Sequence, residues 1–460
     1  MAPQFGTDGI RGLANDELTP EVALALGRAA AEVMGFTTIV IGRDPRRSGP
    51  MLGAALAAGF AAVGAEVVLL GVVPTPTVAW VSANAPRLGL GSEVAGAMIS
   101  ASHNPFADNG IKLFAPGGLK LDDEVEAAIQ ARLDDLIHGT GGDATGVVGR
   151  SVVGEAVGSI RPAPPAAVAG WLDAVTGSAG EARFDGLRIV LDCANGAAYP
   201  AGPDVFRRLG AEVIVLGDRP DGLNINDGVG STAPAGLAAA VVAHRADAGL
   251  AFDGDADRLI AVDASGAVVD GDRVIAVLAL DWSNRGRLRN KAVAVTVMSN
   301  LGFHRAMRQA GIEVIITPVG DRSVLQALDE RDASLGGEQS GHVICRDLAT
   351  TGDGILTGVQ LVTAMVHTGR SLADLAGDVM VTVPQVLRNV ALPRRDAGIV
   401  NRLGPVIAEV EQWLADDGRV LVRASGTEPL LRIMVEHADP DTATDACNRI
   451  VAEATALVAE

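Results

Sequence analysis

Cysteine is scarce: Cys193, Cys345 and Cys447 lie far apart and none belongs to a CxxC pair. That pattern excludes a disulfide framework and a zinc knuckle, and makes a reducing compartment the expected home. Aromatic residues are only 3% of the chain, and Trp80, Trp171, Trp282 and Trp413 are scattered, so they read as core or interdomain packing rather than a stacking platform. Positive charge is short as well, since 37 Lys and Arg face 56 Asp and Glu for a net charge of -19. With no basic tract to offset that repulsion, neither nucleic acid nor an anionic membrane is an expected partner. A local arginine or lysine pocket can still receive a small anion. No apolar run reaches about 18 residues before Gly, Pro or charge interrupts it, and the N-terminus has no basic region followed by an apolar one. A cytoplasmic protein without a transmembrane helix or signal peptide is expected.

What the chain does have is length and glycine: 460 residues exceed one core, and 56 glycines suit many tight turns. A helical pattern runs from Thr19-Pro20 to about Met34, followed by a strand from Thr38 to Ile41, a helix from about Pro50 to Val63 and a strand from Glu66 to Leu70. A third strand, Ala95 to Ile99, delivers Ser102 at its C-terminal end, where open α/β sheets hold their ligands. Pro162 to Pro165 reads as a linker into a second unit with strands at Leu187 to Asp192, Glu212 to Leu216 and Ala248 to Phe252, and a helix from Pro203 to Leu209. A third round follows, with strands Lys291 to Met298 and Glu313 to Pro318 around a helix from Gly302 to Ala310. From about Val381 the pattern becomes α+β, with strands Gln385 to Val390, Arg419 to Val422 and Leu431 to Glu436, and helices Gly404 to Leu414 and Thr442 to Val458. That last unit is expected to be a separate, lid-like domain.

Two stretches carry chemistry. Asp253, Asp255 and Asp257 alternate, so in an extended loop their carboxylates point one way and offer the hard oxygen ligands magnesium prefers. Three such charges repel unless a cation neutralises them. An acidic surface turn is the alternative. Calcium is disfavoured because the helix-loop-helix spacing is missing. Ser102 follows Ala101 and precedes His103, Asn104 and Pro105. A serine hydroxyl needs a base, a metal or prior phosphorylation to be useful, and neighbours in an extended segment point oppositely, so a Ser102–His103 dyad is awkward. The GxSxG elbow of acyl hydrolases is also missing. A cap or turn role for Ser102 stays open.

Three further loops bear on the choice. Arg423, Ser425, Gly426 and Thr427 gather a guanidinium, hydroxyls and free backbone suited to a phosphate dianion, without the ending of a P-loop. Glu338 and Ser340, in the stretch Gly336 to His342, suit vicinal hydroxyls or an ammonium group. Arg11 sits on an early glycine-rich loop that can reach a phosphate. Each also reads as an ordinary polar turn.

Taken together and in order, FGTDGIRG (Phe5 to Gly12), ISASHNP (Ile99 to Pro105), DGDADR (Asp253 to Arg258), GGEQSGH (Gly336 to His342) and RASGTEP (Arg423 to Pro429) resemble the α-D-phosphohexomutases over essentially the whole chain. The resemblance implies three related mixed-sheet α/β domains plus a C-terminal α+β domain around one cleft. The expected divisions are a phosphoserine-bearing domain 1–160, a metal-binding domain 161–262, a sugar-recognition domain 263–378 and a phosphate-binding domain 379–460. It implies phosphorylation of Ser102, and Mg²⁺ held by Asp253, Asp255, Asp257 and a phosphoserine oxygen. It further implies catalytic roles for Arg11, Lys112 and His103. Arg258, Glu338, Ser340, Arg423, Ser425, Gly426, Thr427 and Arg432 are the implied substrate ligands. The implied reaction moves phosphate between the ends of a hexose through a bisphosphate. Gln339 resembles the members that act on glucosamine 6-phosphate and glucosamine 1-phosphate, feeding UDP-N-acetylglucosamine and the cell wall. Mannose or glucose phosphates are the alternative substrates, and a non-catalytic sugar-phosphate binding protein is the alternative of another class. Glucose 1,6-bisphosphate or glucosamine 1,6-bisphosphate is the implied activator, and a homodimer is compatible with this reading. Ser323, after Val319 to Arg322, departs from the family pattern, which has an aromatic there.

Overall fold

Burial on both faces explains the continuous apolar runs of the central strands. The computed structural model describes residues 3–6, 8–138, 151–396, 398–425 and 429–459. In the first unit Thr38–Arg43 lies between Val94–Ile99 and Glu66–Val72 and runs parallel to both. Val94–Ile99 is buried throughout. Beyond it Asp108–Ala115 and Gly9–Leu13 add antiparallel strands, so the sheet is mixed. The expected proline-rich linker is shorter than its sequence suggests. Ile160–Pro162 pairs in parallel with Glu66–Val72 as an edge strand, and the helix Pro165–Gly177 starts three residues later. Proline is tolerated at both places because an edge strand and a first helical turn need no donor there.

The second sheet sets Arg188–Asp192 between the parallel strands Glu212–Leu216 and Ala248–Phe252, then turns back antiparallel at Leu259–Asp263. The third repeats this plan, with Ala292–Thr296 between Glu313–Thr317 and Leu335–Gly337, and Val343–Cys345 returning antiparallel. In each of the three sheets, therefore, the strand at one end of the parallel set is followed by an antiparallel hairpin partner. The turns of those hairpins are the loops 100–107, 253–258 and 338–342. The C-terminal sheet differs: Leu430–His437 lies between Gln385–Ala391 and Gly418–Ala424, antiparallel to both.

The apolar cores follow this division only in part. One cluster runs from Trp171 and Phe206 through Trp282 to Phe303, joining the second and third units. The C-terminal unit has its own cluster, built on Leu431, Ile433, Val435 and Ile450. Of the tryptophans, Trp171 and Trp282 are buried as expected, whereas Trp413 is 51% exposed. It lies on the helix Gly404–Leu414, whose buried positions are Val410 and Leu414, so packing does not explain it. Among the described residues no helix is long and apolar enough to cross a membrane.

The C-terminal unit joins the third through polar contacts around Glu436, which is fully buried. Asn300 Nδ2 and Arg419 Nε donate to its carboxylate at 2.9 and 2.8 Å, and Leu301 N at 3.2 Å caps the helix Leu301–Gln309 onto it. Asn300 also exchanges hydrogen bonds of 2.9 Å with the backbone of Val383, at the chain crossing between the two units. Glu436→Ala leaves Arg419 and the helix end without their buried anion. Removing one partner of a buried pair costs about 3–5 kcal/mol, so the variant is expected to shift urea unfolding of the C-terminal unit to lower denaturant.

Candidate active site

The aspartate loop is a turn. Phe252 pairs with Leu259 across the hairpin, Ala256 N donates to Asp253 O at 3.1 Å, and Ala256 takes a left-handed φ of 59°. The three carboxylates converge because the chain curls, so the extended alternation expected from sequence is corrected. One oxygen from each of Asp253, Asp255 and Asp257 lies within 4.8 Å of the others, and all three residues are buried. Asp255 Oδ1 and Asp257 Oδ1 have no hydrogen-bond partner although buried. Buried hard oxygens without a hydrogen-bond partner, in a cluster this tight, fit a magnesium ion and rule against the acidic surface turn.

Neighbours from the other units answer the charge. Lys112 Nζ lies 2.9 Å from Asp255 Oδ2, 3.1 Å from Asp257 Oδ2 and 2.9 Å from Asp8 Oδ2. Thr75 Oγ1 donates to Asp255 Oδ2 at 2.6 Å, at the N-terminus of the helix Thr75–Ala83, where the helix dipole favours an anion. His342 Nδ1 sits 3.7 Å from Asp257 Oδ1, and its Nε2 3.6 Å from Asp321 Oδ2. Lys120 bridges Asp8 and Asp321, so two of the chain's three lysines pair with the acidic groups gathered here.

The proton equilibria follow from this packing. Burial pushes Asp253 well up, and like charge from Asp257 and Asp255 adds to it. Burial would raise Asp257 too, but Lys112, His342 and Arg258 override it and hold that carboxyl well below the usual range. Asp8 is likewise held low, since Lys112, Lys120 and Arg11 outweigh its burial. For Lys112 burial disfavours the charge, and the three surrounding carboxylates more than restore it, so the ammonium form is favoured. Burial, with Arg258 and Arg11 nearby, pushes His103 down to about 4, so its imidazole is neutral near pH 7.

Ser102 meets this cluster directly: its Oγ donates to Asp253 Oδ2 at 2.6 Å and lies 3.4 Å from His103 Nδ1. Ser102 is buried and takes a left-handed φ of 51°. That conformation costs a non-glycine residue roughly 1–3 kcal/mol and persists only where its surroundings impose it. One such constraint is Gly254, where a Cβ would lie 2.4 Å from Ser102 O. The serine and aspartate hairpins are therefore in backbone contact. The aspartate hairpin is laced to the third loop as well, since Leu259 N donates to Gly341 O at 2.9 Å and Arg258 bridges His342.

The open side is a cleft of about 430 Å³ lined by Asp8, Arg11, His103, Asp257, Arg258, Asp321, Glu338 and His342, among others. Arg11 pairs with Asp8, and Ser340 Oγ donates to Glu338 Oε2 at 3.4 Å. Gln339 does not line the cleft; its Nε2 lies 3.5 Å from Asp270 Oδ2. Arg423 and Arg432 are paired across the C-terminal sheet and line a separate cavity of about 270 Å³. Burial and Arg432 lower the pKa of Arg423 while Glu338 opposes them, so Arg423 lies within electrostatic range of the cleft wall. Ser425 N donates to Leu430 O at 2.8 Å, and Gly426 and Thr427 fall outside the described residues. Ser323 occupies the first turn of the helix Asp321–Glu330, beside Arg322, which pairs with Glu126 of the first unit at 2.5 Å.

Asp8, Thr75, Lys120, Asp321 and His342 were not singled out in the sequence. Asp8, Asp321 and His342 lie inside or beside quoted motifs, which was a usable signal. Thr75 and Lys120 had none.

Three hairpin turns that bring a buried hydroxyl, a cluster of hard oxygens and several cations to one cleft define a multidomain α/β enzyme of the metal-assisted group-transfer class. Comparison with known proteins gives the family. The chain matches the models for phosphoglucomutase/phosphomannomutase α/β/α domains I, II and III over residues 2–138, 169–266 and 270–383, and for the C-terminal domain over 386–453. It belongs to that family, the α-D-phosphohexomutases. It is 50% identical over 458 residues to a phosphoglucosamine mutase of Saccharopolyspora erythraea, covering 98% of each chain. Its identity to that of Symbiobacterium thermophilum is 51% over 451 residues, covering 95% of this chain and 96% of that one. A phosphoglucomutase/phosphomannomutase family protein of Burkholderia thailandensis superposes with a TM-score of 0.81 at 26% identity, covering 99% and 98% of the two chains. The N-acetylphosphoglucosamine mutase of Aspergillus fumigatus, at 17% identity, shares the fold with a TM-score of 0.65, covering 100% of this chain and 96% of that one.

The close approach at Gly254 yields a test. Gly254→Ala is expected to push the serine and aspartate hairpins apart and weaken Mg²⁺ binding by about tenfold or more, the scale of lost support around a metal site. Titration calorimetry measures it, and an unchanged affinity would show that the two loops do not depend on each other.

Proposed function

We propose that this protein is a phosphoglucosamine mutase, interconverting glucosamine 6-phosphate and glucosamine 1-phosphate through a phosphorylated Ser102 and a glucosamine 1,6-bisphosphate. The observation that carries the reading is Ser102 Oγ at 2.6 Å from Asp253 Oδ2, in a cluster where Asp255 Oδ1 and Asp257 Oδ1 are buried without a hydrogen-bond partner. The names of the curated relatives, at about half identity along nearly the whole chain, support the amino sugar over other hexoses.

In this reading Asp253, Asp255 and Asp257, with an oxygen of phosphoserine 102, hold Mg²⁺. When bound, that ion supplies a Lewis acid to the transferring phosphoryl group. Phosphoserine 102 gives its group to a sugar hydroxyl; the Oγ–P bond breaks, a sugar O–P bond forms, and the proton lost by that hydroxyl ends on the freed Ser102 Oγ. The bisphosphate turns over and returns its other phosphate to Ser102. Phosphoryl transfer needs placement and charge compensation above all. Arg11, Arg258 and the Lys112 ammonium stand where compensation is required. His103 supports Ser102 as a neutral neighbour. Glu338 and Ser340 receive sugar hydroxyls. Arg423, Arg432, Ser425, Gly426 and Thr427 grip the phosphate that is not reacting. The separate core of the C-terminal unit and its polar junction suit closure over the cleft, which keeps water from the phosphoserine. Glucose 1,6-bisphosphate or glucosamine 1,6-bisphosphate serves as activator by restoring a phosphate lost from Ser102.

Ser102→Ala is expected to lower mutase turnover by at least about a thousandfold, the scale of losing a nucleophile, and to abolish the phosphate adduct seen by intact-mass measurement. Retained turnover would refute the carrier role. In the wild type, kcat/KM for glucosamine phosphate is expected to exceed that for glucose or mannose phosphate by at least about tenfold. Parity among the three would assign the broader hexose specificity, and no turnover of any would leave a sugar-phosphate binding protein.

A further inference from the structure

The loop that carries Ser102 is held from behind by a side chain that does not line the cleft. Arg46 is fully buried on the segment after the strand Thr38–Arg43. Its Nε donates to Asp44 Oδ2 at 2.8 Å. One terminal nitrogen donates to the carbonyls of Ser102 and Asn104 at 2.9 and 2.8 Å, and the other to Asp108 O at 3.1 Å and to Pro105 O. A guanidinium has five donors in a rigid fork, and every one has an acceptor here. Asp44 extends the hold: it accepts Ser100 Oγ at 2.6 Å, and Ser100 Oγ accepts Ser102 N at 2.9 Å. From the second unit, Asn226 Nδ2 donates to the same two carbonyls, Ser102 O at 2.9 Å and Asn104 O at 3.1 Å.

We propose that Arg46 is a positioning residue for phosphoryl transfer: by gathering the carbonyls of Ser102, Asn104, Pro105 and Asp108 it imposes the left-handed turn that aims Ser102 Oγ, and Asn226 locks that turn to the metal-binding unit. The proposal rests on the reading of Ser102 as phosphoryl carrier. In each cycle the serine gains and loses a dianion, so its backbone must hold one conformation while the local charge changes. Arg46 meets this need without attracting the substrate, because Asp44 pairs with it and both are buried. Its effect therefore falls on the chemical step and not on sugar-phosphate binding.

Two variants of the full-length protein test this. Arg46→Lys keeps a positive charge beside Asp44 but replaces the fork by three donors on one nitrogen. Asn226→Gly removes the second lock at a residue already in the left-handed region, which glycine adopts without strain. Misplacing a reacting group by about 1 Å costs on the order of 100-fold, so kcat is expected to fall by about that factor in Arg46→Lys and by about tenfold in Asn226→Gly. KM for the sugar phosphate should stay within about threefold of wild type, since binding shared by ground and transition states is untouched. The single-turnover rate of Ser102 phosphorylation by glucose 1,6-bisphosphate should fall by the same factors as kcat. Folded variants with wild-type kcat, or with the loss confined to KM, would overturn the proposal; if Arg46→Lys does not fold, Asn226→Gly decides alone. A wild-type protein that takes no phosphate on Ser102 overturns the carrier reading and the proposal with it, whereas an active wild type with unchanged variants overturns the proposal alone.

Discussion

Asp253, Asp255 and Asp257 put three carboxylates into one buried turn, and the surrounding architecture is arranged to answer that charge. The first unit contributes Lys112, Thr75 and the Ser102 hydroxyl, and the third contributes His342. No unit meets the requirement alone. Unpaired charge in a buried turn is costly enough to make the contacts between units part of the stability of the site. The same contacts leave selected oxygens orphaned, which makes the cluster a receptor for a cation rather than a closed ion-pair network.

The convergence has a topological cause. In each of the first three sheets the chain leaves the strand at one end of the parallel set, makes a turn and returns antiparallel, and those turns carry Ser102, the aspartates and Glu338 in sequence order. Three equivalent turns packed together place a hydroxyl, a metal-type cluster and a polar wall next to one another with few residues between strands to blur the geometry. The fourth unit stands apart in topology, core and junction. Its contact with the third is a buried carboxylate capping a helix end, a hydrogen-bonded joint rather than a merged apolar core.

Much of the secondary structure was legible. Glu212–Leu216, Ala248–Phe252 and the helix Gly404–Leu414 fall where the apolar runs and their glycine boundaries put them. Less legible were the return strands, such as Asp108–Ala115 and Leu259–Asp263. Asp108–Ala115 is largely buried yet carries Asn109 and Lys112, and Leu259–Asp263 offers only four apolar residues before Asp263, so neither strict alternation nor a long apolar run marks them. The linker at Pro162 misled for a related reason: an edge strand tolerates proline, and only pairing reveals it as a strand.

The site divides in the same way. The sequence alone determined which chemistry is present: a serine, three aspartates, two phosphate-type arginine loops and a Glu–Ser pair, in an order that identifies the family. It determined these because each is a short local motif whose side chains must be chemically specific. Only the tertiary structure decided that the aspartates curl rather than alternate, that Lys112 is held as an ammonium by three carboxylates, and that Arg46 and Asn226 hold the backbone of Ser102 from two different units. Those are facts about charge and donors meeting across residues as many as 249 positions apart, as between Asp8 and Asp257 on either side of Lys112. Local propensity carries no record of them, because burial and electrostatic compensation exist only once the chain has folded.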